Sequence, residues 1–174
     1  MCTGVRFADA AGNLYFGRNL DWCESYGEGV VITPRGASIP TQFLGSLSPE
    51  HACVGMGIVV GGVPCYFDCA NEAGLAIAGL NFPGYAQFAE APEEGAVNVA
   101  AYEFPLWVAA SFSTVAEVRK ALKDVVIVAK APSEGYGVAQ LHWLVGDGKE
   151  SIVIECQADG MHVYDDGLDV LTNQ

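Results

Sequence analysis

Three Asp-Gly dipeptides divide the last third of the chain into short apolar segments, and they constrain the fold more than any other feature. They are Asp147-Gly148, Asp159-Gly160 and Asp166-Gly167. An Asp-Gly pair between apolar runs is a strong signal for a β-hairpin, because its turn needs positive φ angles that these residues tolerate. We therefore predict an antiparallel meander of four strands, over 140–145, 151–156, 161–164 and 168–172.

The first half of the chain carries a second set of strand patterns. The chain opens with a predicted hairpin, whose turn contains Gly12-Asn13. Residues 36–52 are predicted to be a loop, because Gly, Ser and Pro interrupt them repeatedly. The remaining apolar runs predict strands over 29–33, 54–60, 64–69 and 75–80.

Helical patterns are confined to the middle of the chain. Residues 97–112 are almost continuously apolar and predict a buried helix that is bent or restarted near Pro105. Thr114 and Glu117 have the spacing of a capping box, which predicts a second helix from residue 115. A strand is predicted over 125–129. Two meanders around a helical pair predict a single α+β domain over 1–174, in which two sheets pack together with helices outside.

Composition excludes several classes of function. Hydrophobic residues make up 51% of the chain and charged residues 17%, which is typical of a folded globular domain. The net charge of −13 argues against nucleic-acid binding, which needs clustered Lys and Arg. Since no run of 18 apolar residues occurs, no membrane-spanning helix is predicted.

Six cysteines are spaced irregularly, at positions 2, 23, 53, 65, 69 and 156. The N-terminus lacks the basic and apolar regions of a signal peptide. We therefore expect free thiols in the cytoplasm rather than disulfides. Cys65 and Cys69 have a loose metal-like spacing, but the three histidines are scattered along the chain, so no metal or other cofactor is predicted.

Cys2 is the candidate nucleophile. It is a small second residue, of the kind from which an initiator Met1 is commonly trimmed, and trimming would leave both a thiol and a free α-amine on Cys2. An unperturbed α-amine has a pKa of about 7.7–8.0 and can therefore accept the thiol proton near neutral pH. The alternative is an incidental cysteine near the start of the chain.

Arg18 and Asp21 are candidates to assist Cys2. The opening hairpin would bring the end of its second strand back beside Cys2. Arg18 would then favour the thiolate, and Asp21 would hold the amine in position. An exposed and weak Arg–Asp pair is the alternative.

Six motifs follow one another along the chain. They are Met-Cys-Thr-Gly-Val-Arg-Phe (1–7), Gly-Arg-Asn-Leu-Asp-Trp (17–22), Val-Ile-Thr-Pro-Arg-Gly (31–36), Tyr-Phe-Asp-Cys-Ala-Asn-Glu (66–72), Gly-Leu-Ala-Ile-Ala-Gly-Leu-Asn-Phe-Pro-Gly-Tyr (74–85) and Asp-Val-Leu-Thr-Asn-Gln (169–174). With them the chain resembles the bile salt hydrolases of the choloylglycine hydrolase family, which also contains penicillin V acylases.

The resemblance implies a fold and a reaction. The fold is the four-layer αββα sandwich of N-terminal nucleophile hydrolases, with only its N-terminal part present because family members are much longer. The reaction is hydrolysis of the amide bond of glycine- or taurine-conjugated bile salts. Cys2 would be the nucleophile, assisted by Arg18 and Asp21, with Asn81 and Asn173 as oxyanion donors. Ordinary turn residues are the alternative for both asparagines.

Two other functions remain open. One is hydrolysis of penicillin V or another N-acyl amide, although in the resembling family Asn81 favours bile salts, since penicillin V acylases more often have tyrosine there. The other, from a different class, is an inactive fragment that acts as a structural or assembly partner. A half-sandwich would expose a sheet face, so residues 1–174 alone are expected to fold poorly and hydrolyse little.

A sterol-sized acyl group needs an apolar pocket. We expect it to be lined by residues that follow Arg18 and by residues near the other strand ends, although scattered apolar residues are usually core. They are Leu20, Trp22, Tyr26, Val60, Phe67 and Phe82. The expected binding partner is a conjugated bile salt, and binding to nucleic acid or to a membrane is not expected. A full-length form is expected to be a homo-oligomer.

Overall fold

The structure is a computed structural model that describes residues 1–173. Strands of the first half are β1 (Thr3–Ala8), β2 (Leu14–Asn19), β3 (Gly29–Thr33), β4 (Ile39–Thr41), β5 (Gly45–Leu47), β6 (Cys53–Val60), β7 (Val63–Asn71) and β8 (Ala76–Asn81). Those of the second half are β9 (Val97–Ala100), β10 (Val125–Val128), β11 (Leu141–Gly146), β12 (Ser151–Gln157), β13 (Gly160–Asp165) and β14 (Val170–Thr172). The helices are α1 (Phe104–Ser111) and α2 (Val115–Ala121), and α2 runs on into a 3-10 turn, Leu122–Asp124.

A seven-stranded antiparallel sheet joins the two predicted meanders. Its order is β13-β12-β11-β8-β7-β6-β3, so that β8 of the first meander pairs with β11 of the second. The hairpins predicted at Asp147-Gly148 and Asp159-Gly160 are confirmed. The hairpin predicted at Asp166-Gly167 is wrong, because β14 leaves this sheet and pairs with β1 instead.

A three-stranded sheet of order β14-β1-β2 packs on one face of the larger sheet. The predicted opening hairpin is confirmed, with Thr3 opposite Asn19 and Gly4 opposite Arg18. Its turn is held by Asp9, whose carboxylate accepts from the backbone N–H of Asn13 at 2.8 Å. A small apolar layer separates the two sheets, formed by Cys2, Ala78, Leu80, Leu144, Val153 and Leu171.

The larger core lies between the other face of the seven-stranded sheet and the helices. Alternate residues of each strand point to opposite faces, so that Ile77 packs under the helices and Ala78 under the smaller sheet. Helix α1 is buried along almost its whole length. The predicted cap of α2 is confirmed, since the Thr114 side chain accepts from the backbone N–H of Glu117 at 3.3 Å.

Two predictions for the loops and helices are wrong. Residues 97–112 do not form one helix, because 97–100 are strand β9, which pairs in parallel with β10. The predicted restart near Pro105 is confirmed, since α1 begins at Phe104 with Pro105 in its first turn. The segment 36–52 is not all loop, since β4 and β5 form a short hairpin within it.

Part of the seven-stranded sheet has an uncovered apolar face. Val30 opposes Met56 and Ile32 opposes Val54, on the same face as the smaller sheet. Val30 is 71% exposed and Ile32 70% exposed. The smaller sheet therefore covers β8, β11 and β12 but leaves the β3–β6 edge open, as expected for a part of an αββα sandwich.

Gly55 provides a test of the packing between β6 and β7. A Cβ at Gly55 would lie 2.0 Å from the Asp68 carbonyl oxygen and 2.6 Å from the Cys69 Cα. Gly55→Ala must therefore push two backbones apart, and we expect a loss of about 1–3 kcal/mol in the free energy of unfolding. Thermal unfolding followed by circular dichroism should show a melting temperature lower by roughly 2–12 °C.

The matched control for this variant is Gly29→Ala on β3. A Cβ at Gly29 would have no heavy atom within 4 Å, and Gly29 has no positive φ. We expect Gly29→Ala to melt at or slightly above the temperature of the parent chain. Equal melting temperatures for the two variants would contradict the close approach of β6 and β7 at Gly55.

Candidate active site

Cys2 lies at the mouth of the gap between the two sheets, one residue before β1. Its side chain is only 3% exposed and packs in the inter-sheet layer with Leu80 and Leu171. Its backbone N–H donates to the Asn173 side-chain oxygen. The thiol is therefore held where β8 and β14 both end.

Arg18 places a buried cation beside this thiol. One guanidinium nitrogen, Nη2, lies 3.8 Å from the Cys2 Sγ and donates to the Gly79 carbonyl oxygen at 2.9 Å. Its other terminal nitrogen, Nη1, lies 3.8 Å from the Asp68 carboxylate. The hairpin register thus brings the Arg18 guanidinium beside the Cys2 thiol.

A bulge in β7 makes the end of β8 available to the site. The pairing of β6 with β7 shifts register at Met56/Gly57, and β7 pairs with β8 only as far as Ala78. The Phe82 N–H donates to the Gln140 carbonyl oxygen, so the N–H and C=O of Asn81 point away from β11. On the side away from β11, the Gly79 carbonyl therefore accepts from Arg18 and the Asn81 carbonyl accepts from Asn173, in place of a strand partner.

Asn173 and Asn81 meet at this point. The Asn173 side-chain nitrogen donates to the Asn81 backbone oxygen at 2.6 Å, while its side-chain oxygen accepts from Cys2. Two residues that are 92 positions apart in sequence thus lie beside the candidate nucleophile. Their use as oxyanion donors remains a prediction.

Asp21 lies at the exposed rim of the site, where it binds the ammonium group of Met1. Asn19 holds the same terminal segment, because its side-chain oxygen accepts from the Thr3 N–H at 2.6 Å and its side-chain nitrogen donates to the Met1 carbonyl at 3.3 Å. Asn19 and Asp21, at and just after the end of β2, therefore hold Met1 and Thr3 on either side of Cys2. The proposed hold of Asp21 on the amine of a trimmed Cys2 remains a prediction.

Three residues in and around the site are not predicted from the sequence. Asp68 is the carboxylate next to Arg18, and burial raises its pKa while the Arg18 charge offsets part of that effect. Asp68 and Asn19 both lie within the family-like motifs, which is the signal that could have found them. His142, which packs beneath the site, lies outside those motifs, and nothing in the sequence marks it.

The other cysteines are poor nucleophiles or lie away from the site. All six are free thiols, as predicted. Burial raises the pKa of Cys53 and Cys65 to about 11 and that of Cys156 to about 12, and it raises the pKa of Cys69 well above its usual value. These four thiols stay protonated at neutral pH, while Cys23 is exposed.

The predicted acyl-pocket residues fall into two groups. Leu20, Trp22 and Tyr26 are exposed on the segment after β2, and Tyr26 meets Phe67 edge to face with ring centroids 6.0 Å apart. The rings of Tyr26 and Phe67 are thus in contact and form one apolar surface.

The remaining two pocket residues have different surroundings. Phe82 is 2% exposed and stacks on His142, with centroids 4.4 Å apart, so its ring is part of the packing beneath the site. Val60 is half-buried at the end of β6, opposite Val63. The use of all six residues in binding an acyl group remains a prediction.

Two further observations limit what residues 1–173 hold. They contain no group of three or more His, Cys, Asp or Glu side chains arranged to bind a metal ion. No helix in this part of the chain is long and apolar enough to span a membrane.

Comparison with known proteins agrees with this geometry. Residues 2–174 match the linear amide C–N hydrolases of the choloylglycine hydrolase family. The chain belongs to the choloylglycine hydrolase family. It is 58% identical to a bile salt hydrolase/transferase of Bifidobacterium longum subsp. longum and 53% identical to a conjugated bile acid hydrolase of Lactobacillus gasseri. These matches cover 100% and 99% of the chain but 55% of each relative, so the chain spans about half their length.

Solved structures confirm the predicted fold. The C2A variant of the conjugated bile acid hydrolase from Clostridium perfringens superposes with a TM-score of 0.95 at 37% identity, covering 100% of this chain and 54% of that one. A penicillin V acylase from Agrobacterium tumefaciens superposes with a TM-score of 0.76 at 20% identity, over 99% of this chain and 52% of that one. The chain has the fold of the N-terminal part of this αββα sandwich.

Proposed function

We propose that this choloylglycine hydrolase chain provides the nucleophile and the oxyanion donors for hydrolysis of conjugated bile salts. The observation that carries the proposal is the Cys2 thiol, buried 3.8 Å from the Arg18 guanidinium and bound through its own backbone to Asn173. The relatives named as bile salt and conjugated bile acid hydrolases support the class of substrate.

The first half of the proposed reaction breaks the amide bond. The Cys2 thiolate attacks the amide carbonyl, and the resulting oxyanion accepts hydrogen bonds from the Asn173 side-chain N–H and the Asn81 backbone N–H. Collapse of this tetrahedral intermediate expels the nitrogen of glycine or taurine, which takes up the proton that the Cys2 α-amine had received from the thiol. A thioester between Cys2 and the bile acid remains.

The second half releases the bile acid. Water gives one proton to the α-amine while its oxygen attacks the thioester, and the same donors hold the second oxyanion. The intermediate expels the thiolate and forms the bile acid, whose carboxyl group releases its proton to solvent. One preorganised donor of this kind is worth on the order of 10²–10³ in rate. The contacts of Asn173 with Cys2 and Asn81 therefore hold a donor whose loss would cost a substantial part of the rate.

Three further statements belong to the same proposal. Free thiols throughout the chain support a cytoplasmic enzyme. The exposed Val30 and Ile32 support coverage of the β3–β6 face in a longer form, which we propose to be a homo-oligomer. The uncharged Leu20, Trp22 and Tyr26 support apolar recognition of a sterol, since a net charge of −13 does not attract an anionic substrate.

The test uses a fusion chain, defined as residues 1–174 followed by the part of the Bifidobacterium longum relative that this chain does not match. We expect the fusion chain to release glycine from glycocholate, and residues 1–174 alone to release far less, because the open sheet face leaves the site incompletely enclosed. Glycine is measured by derivatisation and chromatography, with penicillin V as the comparison substrate.

The outcomes separate the three functions. Glycine release by the fusion chain supports the proposal, and preferential cleavage of penicillin V would replace the substrate class. A fusion chain that melts cooperatively but cleaves neither compound would show that the chain acts as a structural partner instead.

A further inference from the structure

His142 is a buried ionisable residue in the apolar layer between the two sheets. It lies on β11, opposite Leu80 of β8, and its side chain is 1% exposed. Leu144, two residues further along β11, points into the same layer. Burial of an imidazole among apolar side chains costs free energy unless it gains partners, so its contacts need an explanation.

Glu155 holds one side of the imidazole. Nδ1 of His142 lies 3.0 Å from a carboxylate oxygen of Glu155 on the neighbouring strand β12. The other carboxylate oxygen accepts from the Gln157 side-chain nitrogen at 2.8 Å. A carboxylate is acceptor-only, so Nδ1 carries the proton and the plane of the ring is fixed.

The ring of His142 lies beside the end of β8, and its strand β11 packs against β14, so both strand ends that carry the candidate oxyanion donors are close to it. It stacks on Phe82, the residue after Asn81, with an interplanar angle of 6°. The Thr172 backbone, directly before Asn173, lies close enough to favour the protonated ring, although burial dominates and lowers the pKa of His142. Nε2 forms no hydrogen bond with the part of the chain that the structure describes.

We infer that His142, tethered by Glu155, is a positioning residue that sets the distance between the strand ends bearing Asn81 and Asn173. Its side chain is held by Glu155 and Phe82. It stacks on the residue that follows Asn81, and its strand β11 packs against β14, whose end leads to Asn173; the two ends meet in the 2.6 Å contact between the Asn173 side chain and the Asn81 carbonyl oxygen. The catalytic consequence of this role rests on the proposed function, but the positioning itself does not.

The first test needs no catalysis. In the fusion chain with 15N-labelled asparagine, the side-chain amide signals of Asn173 report its bond to Asn81. His142→Phe keeps a ring on Phe82 but removes the tether, and we expect these signals to shift and to exchange faster with water. Ile154→Ala on β12 removes a fully buried side chain from the helix-side core and should leave them in place, despite a loss of about 2–5 kcal/mol of stability.

The second test separates positioning from stability. His142→Phe with Glu155→Leu removes the unpaired carboxylate as well as the imidazole, and we expect it to recover most of the melting temperature. In the fusion chain it should still turn over glycocholate roughly 10- to 100-fold more slowly, since a misplacement of about 1 Å costs up to about 10² in rate. The Ile154→Ala fusion chain should keep its kcat below its melting temperature.

The outcomes of the two tests bear separately on the role of His142 and on the proposed function. Unchanged Asn173 signals in His142→Phe would overturn the inference, whatever the activity. Recovery of both the melting temperature and kcat in the double variant would reduce His142 to a packing residue. If the unmodified fusion chain released no glycine, the proposed function would fail, while the Asn173 signals would still decide the role of His142.

Discussion

Replacing Cys2 with serine is expected to lower glycine release from glycocholate by the fusion chain at least about 1,000-fold. A serine hydroxyl is far harder to deprotonate than a thiol, so the cation of Arg18 at 3.8 Å no longer yields a nucleophile. Removal of the nucleophile from a protease triad costs on the order of 10⁶ in kcat, which sets the scale. Because Cys2→Ser replaces only the side-chain sulfur with an oxygen of similar size, the variant should still fold.

The measurement pairs kinetics with mass spectrometry. Glycine release is followed over time for the parent, Cys2→Ser and Cys23→Ser chains. Cys23 is an exposed thiol outside the proposed machinery, and Cys23→Ser should turn over at the parent rate. The intact mass of rapidly quenched parent and Cys23→Ser chains should show a bile acyl adduct. Parent-like activity in Cys2→Ser would refute the assignment of the nucleophile.

Local pairing explains which parts of the fold were predictable. The opening hairpin and the turns at Asp147-Gly148 and Asp159-Gly160 join strands that are neighbours in sequence, so turn chemistry and apolar patterns suffice. The turn at Asp166-Gly167 has the same chemistry but a different outcome. The strand after it, β14, does not pair with β13 but with β1, at the other end of the chain.

Non-local pairing also explains the wrong helix over 97–112. A fully buried strand and a buried helix are both continuous apolar runs, and no local signal separates them. The strand at 97–100 is decided by β10, about 28 residues later, which pairs with it in parallel. The start of α1 at Phe104 is marked locally by Pro105 in its first turn, but the strand before it is not.

The residues of the candidate site also differ in whether local or non-local pairing brings them together. Cys2 and Arg18 come together through one hairpin, which the sequence predicts. Asn81 and Asn173 meet because β8 and β14 end at the same place in two different sheets, and the sequence predicts their role only through the family resemblance. Asp68 contacts Arg18 and is marked only by its place in a family-like motif, whereas His142 contacts Glu155 and nothing in its local sequence distinguishes it from an ordinary strand residue.

Retention of Met1 is expected to reduce turnover about 10²- to 10⁴-fold. With Met1 present the Cys2 nitrogen is an amide, which donates to Asn173 and cannot accept a proton, while the Met1 ammonium occupies Asp21. General base catalysis contributes about 10²–10⁴ in rate, and this is the contribution that the amide forfeits. Removal of Met1 converts the same nitrogen into a basic amine and frees the Asp21 carboxylate to hold it.

Two forms of the fusion chain that differ by one residue test this directly. Each is expressed behind a cleavable ubiquitin-like domain whose protease leaves no residue behind, so that one form begins at Met1 and the other at Cys2. Intact mass verifies each N-terminus before and after the assay, and equal melting temperatures verify that folding is unaffected. Both forms of Cys2→Ser serve as inactive references. If the form that still carries Met1 releases glycine as fast as the trimmed form, the proton moves through another group, and the α-amine is not the base of this reaction.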